Sequence, residues 1–158
     1  MKTYNYDSDY LVSLTEKWTR ASFPIISRFV RNMVKMNAPR RLLDFGCGAG
    51  VYAEALSDLG GEVSACDISE DCIAACVGKY SSVFLLTEPA DLPFNHFDMI
   101  FSTEVLEHIK DYNNVIRHFY RTLRLNGIVL LTTSAYSTSV FTMLYQAKKA
   151  GVGFMGIL

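Results

Sequence analysis

Apolar and polar residues fall in blocks along this chain, and the period within each block separates strands from helices. Leu42-Leu43-Asp44-Phe45 is a short, mostly apolar run that reads as a buried strand. Gly46-Cys47-Gly48-Ala49-Gly50 then predicts a tight turn, opening a helix over 51–59 that Gly60-Gly61 end. Glu62-Val63-Ser64-Ala65-Cys66-Asp67 reads as a second strand, followed by a helix over 70–79 with Ser69 as its cap. Runs at 83–86, 97–101 and 128–133 predict three more strands, and helices are expected at 112–123 and 137–149. Ahead of them, 9–20 reads as a short helix, and Pro24 suits the first turn of another. In that second helix Ile25, Ile26, Phe29, Val30, Met33 and Val34 recur at helical spacing, opposite Arg28, Arg31 and Lys35. Strands alternating with helices predict an α/β fold, a doubly wound and mostly parallel sheet with helices on both faces. Ligands of such sheets sit at the carboxyl ends of the strands, where Gly46, Asp67, Glu88 and Glu104 should converge.

The glycine turn carries the first chemical signal. Dinucleotide sites usually show G-x-G-x-x-G, with the pyrophosphate on a helix N-terminus. Here the spacing is G-x-G-x-G, and Val51 stands where the third dinucleotide glycine would be. Asp44, two residues before the first glycine, would repel a pyrophosphate and attract an ammonium or sulfonium group. Asp67 follows Gly46 by 21 residues, near the offset at which a carboxylate meets a ribose. The bland alternatives are a plain strand-to-helix turn and a helix-capping Asp67.

Composition and charge narrow the frame. The chain has 158 residues, half of them hydrophobic and 20% charged, which suits one domain with a real core. We divide it into a helical cap over 1–39 and a cofactor-binding domain over 40–158. Within that cap Tyr4, Tyr6, Tyr10 and Trp18 are lid or substrate-contact candidates, with simple packing on the sheet as the alternative. Net charge is −1 but uneven: residues 42–107 carry twelve acids and one base, which suits a ligand with cationic centres. The basic N-terminal part is too modest for nucleic acid. The uncharged run 125–147 is broken by several Ser and Thr residues and reads as strand plus helix, not a membrane span. Cys47, Cys66, Cys72 and Cys76 show no C-x-x-C pair or metal spacing, so reduced thiols and a cytoplasmic location are expected.

Four blocks in order resemble a known family: Asp44-Phe45-Gly46-Cys47-Gly48-Ala49-Gly50; Cys66-Asp67-Ile68-Ser69; Leu92-Pro93-Phe94 before Phe97-Asp98-Met99-Ile100; and Glu104-Val105-Leu106-Glu107-His108. Together they resemble the class I S-adenosylmethionine-dependent methyltransferases, which are Rossmann-like. The last block is most similar to small-molecule O-methyltransferases of the ubiquinone-pathway type. The resemblance implies that Gly46, Cys47, Gly48 and Gly50 wrap the methionine part of S-adenosyl-L-methionine and that Asp44 faces its ammonium, directly or through water. It also implies that Asp67 holds the ribose, Ile68 packs on the adenine and Glu88 accepts the adenine amino group. Pro89 removes a backbone donor at the next position. Leu125-Asn126-Gly127 replaces the family's Pro-Gly-Gly turn.

A hydroxyl acceptor must lose a proton, to a base or through a metal. Glu104, Glu107 and His108 are the candidates; on a helix, Glu104 and His108 would share a face. Three alternatives stand open: His108 or Glu104 as catalytic base, a divalent metal on Glu104, Glu107 and His108, or a structural role for all three. The family's sheet has seven strands and the pattern here places five, so the last two are expected to be missing. That would leave the fifth strand as an open edge, covered by a C-terminal helix or a homodimer. The implied activity is methyl transfer to a small-molecule hydroxyl. The alternative is a cofactor-binding remnant or partner subunit without independent catalysis, and an NAD-binding domain is a distant third.

Overall fold

A computed structural model describes residues 23–57, 61–134, 140–148 and 151–157. The expected helix at 9–20 and the residues Tyr4, Tyr6, Tyr10 and Trp18 lie outside them. The described elements are α1 (Phe23–Asn37), β1 (Arg41–Phe45), α2 (Ala53–Ser57), β2 (Glu62–Asp67), α3 (Glu70–Cys76), β3 (Ser82–Leu85), β4 (Phe97–Thr103), α4 (Tyr112–Thr122), β5 (Leu123–Ser134), β6 (Val140–Lys148) and β7 (Gly151–Ile157). Single 3-10 turns cover Pro89–Asp91 and Leu106–His108.

One sheet runs in the order β3-β2-β1-β4-β5-β6-β7. Strands β3 to β5 in that order are parallel, and β6 and β7 are antiparallel additions. The strand order reverses between β1 and β4, which opens a crevice at their carboxyl ends. The five parallel strands are those read from the apolar runs. Their alternate residues feed two large cores on opposite faces, and Ala65 of β2 packs in a smaller cluster with Cys47 and Cys76. Leu42, Val63, Met99, Phe101, Ile128 and Leu130 pack on one face with Ile26, Val30 and Val34 of α1. Leu43, Phe45, Cys66, Ile100, Val129 and Leu131 pack on the other with Val115 and Phe119 of α4. Ile25, counted on the apolar face of α1, is instead 64% exposed.

The C-terminal part departs from expectation. Val140–Lys148, within the helix expected at 137–149, is a strand paired antiparallel with β5, and β7 pairs with it in turn. Strand β5 is therefore not an open edge, and the sheet carries two strands past the five expected. Val140-Phe141-Thr142 is β-branched and aromatic, and the unpaired ladder of β5 offers this segment a partner that helical periodicity does not reveal. The Leu125-Asn126-Gly127 turn is a kink within β5: Asn126 takes φ +66°, and the register shifts between the Phe97 and Met99 pairs.

Candidate functional site

The glycine turn leaves β1 and folds back under its own hydrogen bonds. The Gly46 and Cys47 N–H groups both donate to the Cys66 carbonyl, at 2.8 and 3.1 Å. Gly46, Gly48 and Gly50 hold φ of +73°, +51° and +71°, a region that an L side chain resists. Space forbids side chains as well. A Cβ on Gly46 would stand 2.4 Å from Val105 Cγ2, and one on Gly50 would stand 3.0 Å from both Cys76 Sγ and Lys79 Cδ.

Below this turn lies Asp44, 2% exposed in the middle of the sheet. Its Oδ2 accepts a hydrogen bond of 2.5 Å from the Tyr80 hydroxyl. Burial pushes the Asp44 carboxyl up to about 7, the Tyr80 bond pulls it down and the Asp67 carboxylate adds to the rise. The Tyr80 phenol is itself driven well above its usual range by burial and by Asp44, so it remains a donor. Helix α3 ends at Cys76, not at the expected residue 79, and Gly78 at φ +82° bends the chain so that Tyr80 reaches β1. Lys79 Nζ donates to the Ala49 carbonyl at 2.7 Å. Cys47 Sγ lies 3.6 Å from Cys76 Sγ, and the Cys76 thiol donates to the Gly48 carbonyl at 3.2 Å. The bond with Cys76 raises the Cys47 thiol most, and burial and the nearby carboxylates Asp44 and Asp67 add to the rise.

Asp67 ends β2 beside the turn. Its Oδ2 accepts from the Gly48 N–H and its Oδ1 from the Ser69 N–H, both at 3.0 Å. Each oxygen keeps a second lone pair for a ligand. Ser69 is the cap of α3, as expected, accepting from the Cys72 N–H at 3.3 Å. Ile68 is 65% exposed at the same rim, an apolar side chain on the surface.

The facing wall comes from the end of β4. Glu104 adopts φ +53°, strained for a residue with a side chain, and its N–H donates to the Thr132 carbonyl at 2.9 Å. The Thr132 hydroxyl reaches Glu104 Oε1 at 3.4 Å and is also hydrogen-bonded to the Thr103 hydroxyl. Only Leu106–His108 is helical, as a 3-10 turn, so Glu104 and His108 do not share a helix face as expected. Tyr52, 5% exposed, closes the cavity from below, with its ring against Phe101 and Phe23. Burial, with Glu104 and Asp44 nearby, lifts its phenol above the usual range.

Between these walls is a cavity lined by Gly46, Cys47, Gly48, Asp67, Ile68, Glu104 and His108, among others. Asp44 and Gly50 sit behind the wall instead of on it, and neither Glu88 nor Glu107 lines the cavity. Glu88 is an exposed residue before the 3-10 turn at Pro89–Asp91. Glu104, Glu107 and His108 form no group able to hold a metal ion, and no such group of three occurs among the described residues. Sequence reasoning missed Tyr80, Cys76, Lys79 and Thr132. Only the third-dimension meeting of α3 and β5 with the turn makes them part of the site.

A glycine turn at the reversal point of a doubly wound sheet, facing a carboxylate at the tip of the next strand, is the architecture of a nucleoside-cofactor enzyme. The sequence profile of a family described as a methyltransferase domain matches residues 18–152, and the chain belongs to that family. A ubiquinone biosynthesis O-methyltransferase of Xanthomonas oryzae pv. oryzae is 28% identical over 151 residues, covering 85% of this chain and 63% of the relative. The chain thus spans less than two thirds of that relative's length. A phosphoethanolamine N-methyltransferase 2 from Haemonchus contortus, solved with S-adenosyl-L-methionine, is 27% identical with a TM-score of 0.58, covering 67% of this chain and 28% of that one. A SAM-dependent methyltransferase from Archaeoglobus fulgidus shares the fold, with a TM-score of 0.66 at 23% identity over 82% of this chain and 60% of that one.

Proposed function

We propose that this chain binds S-adenosyl-L-methionine and transfers its methyl group to a small-molecule hydroxyl. The observation that carries the reading is the cavity itself. The Gly46–Gly48 backbone forms one wall, the Asp67 carboxylate stands at one rim, and Glu104 faces them across the opening. The residues present suit the ligand. Asp67 offers two acceptors to a ribose diol, Ile68 offers an apolar face to adenine, and the glycine backbone admits close approach. Asp44 contributes negative charge from behind the turn toward the ammonium.

The bound cofactor supplies an electrophilic methyl on a sulfonium leaving group. The chain's task is to align the acceptor, exclude water and accept a proton. Glu104 is the better-held base, since Thr132 and its own strained backbone fix it at the cavity wall. His108 stands on the same wall. The dispersal of Glu104, Glu107 and His108 favours direct proton removal over a divalent metal. Helix α1 borders the site through Phe23, whose ring lies 5.4 Å from that of Tyr52.

Thermal-shift titration tests the cofactor: S-adenosylmethionine and S-adenosylhomocysteine should stabilise the protein, and stabilisation by NAD alone would overturn the reading. Among the described residues, no helix is long and apolar enough to cross a membrane. Mass spectrometry of phenolic and catecholic acceptors tests transfer. His108→Ala and Glu104→Gln separate the two bases by which one abolishes turnover. A second reading is a cofactor-binding unit that needs a partner for catalysis. That reading predicts S-adenosylmethionine binding without formation of S-adenosylhomocysteine.

A further inference from the structure

Nothing in the methyl-transfer reading explains why a tyrosine 36 residues away is bonded to the buried acid of β1. We propose that Tyr80 is a positioning residue for the cofactor: its hydroxyl keeps Asp44 in place as a carboxylate behind the glycine turn, where its charge attracts the cofactor ammonium. This rests on the cofactor reading above and adds to it the residue that sets its pH dependence.

The geometry supports it at three points. Asp44 is 2% exposed, so without a donor its ionised form would be strongly disfavoured. The Tyr80 hydroxyl stands 2.5 Å from Oδ2 and leaves Oδ1 for other interactions. Tyr80 is also held from both sides. The Ser81 N–H after it donates to the Val63 carbonyl at 2.8 Å, and Lys79 before it is tied to the Ala49 carbonyl at 2.7 Å. The glycine turn rests directly on this segment, since a Cβ on Gly50 would stand 3.2 Å from the Tyr80 ring. Carboxylate, phenol and glycine turn are therefore packed against one another.

Besides Tyr80, the group that acts directly on the Asp44 charge is Asp67, and most of the neighbouring thiols and phenols remain neutral. Asp67 on β2 repels it. Cys47 of the turn, Cys66 of β2 and Tyr52 ahead of α2 are all raised by burial or by the Asp44 charge itself, so they stay protonated. Cys76 is the exception: its contact with Cys47 lowers its thiol against burial and the Asp44 charge, and Lys79 adds to that lowering. Tyr80 is thus the group that favours the ionised form of Asp44, against burial that carries the carboxyl to about 7.

The test compares wild type with Tyr80→Phe by calorimetric titration of S-adenosylhomocysteine from about pH 6 to about pH 9. A parallel arm uses 5′-methylthioadenosine, which lacks the ammonium. In wild type, S-adenosylhomocysteine affinity should rise through about pH 7 as Asp44 ionises. In Tyr80→Phe that rise should move up by about one pH unit, leaving affinity near neutrality roughly fivefold weaker and restoring it at high pH. Methylthioadenosine affinity should be equal in both proteins at every pH. Equal loss at all pH values, or equal loss for both ligands, would show Tyr80 to be merely structural and overturn the proposal. If wild type binds S-adenosylhomocysteine at a pH-independent affinity, the proposal fails while the cofactor reading stands; if it binds none, both fail. Should Tyr80→Phe not fold, carbon NMR of wild type decides: the Asp44 carboxyl and the Tyr80 ring must titrate with one shared midpoint, and separate midpoints overturn the coupling.

Discussion

Asp44 shows how much one residue can be asked to do. A carboxyl in the middle of a sheet is raised to about 7, above the 3.8 of an exposed aspartate. The folded state therefore holds a proton that the unfolded chain has already lost in between. Stability from this group is fully present below about pH 4 and is lost as pH rises through about 7. Asp44→Asn removes that loss. Denaturant titration should find the variant gaining on wild type between about pH 4 and about pH 7, by on the order of a few kcal/mol, with no further gain above, while S-adenosylhomocysteine binding weakens. A constant difference across that range would contradict the buried-acid account. Gly46 is constrained twice, by φ +73° and by the 2.4 Å approach of a Cβ to Val105. Gly46→Ala should destabilise by about 2–4 kcal/mol, and adding Val105→Ala should recover only the part due to the clash. Full recovery by the double variant would mean that the backbone conformation adds nothing.

At the scale of elements, the site is a junction where strand tips meet turns. The end of β4 and the middle of β5 hold Glu104 through the Thr103 and Thr132 hydroxyls and the Thr132 carbonyl. Thr132→Val should leave S-adenosylhomocysteine affinity near wild type, cost about 1–3 kcal/mol of stability and lower turnover, because Glu104 loses the Thr132 hydroxyl. Unchanged turnover would remove Glu104 from the catalytic account. Elements also show where the pattern of residues was sufficient. Strands β1, β2 and β4 are legible because buried parallel strands must be apolar on both faces, and Leu42, Leu43, Met99 and Ile100 satisfy this locally. Strand β6 was not legible. Its residues are compatible with either conformation, and the choice was made by the free ladder of β5, a partner set by the sheet and not by local period.

Among the described residues, the two larger cores lie on opposite faces of one sheet, with the candidate cavity where the strand order reverses. Ligand binding should report on that entire unit. At a concentration about 100-fold above its Kd, S-adenosylhomocysteine should add about 2.7 kcal/mol to unfolding free energy, visible as a rise in Tm, and NAD should add nothing. A shift with NAD of the same size would contradict the assignment of the glycine turn. Local sequence was enough to determine this turn, the strands that carry it and the carboxylates at their tips. In each case the requirement is local: positive φ, a buried apolar run, or a fixed offset along one strand–helix–strand unit. Only the tertiary structure decided what those residues face. It placed Asp44 behind the cavity wall and against Tyr80, 36 residues on, and it left Glu88 outside while seating Glu104 opposite Asp67. Such pairings depend on where α3 ends and how β4 meets β5, and no spacing along the chain encodes a contact made by closing a sheet.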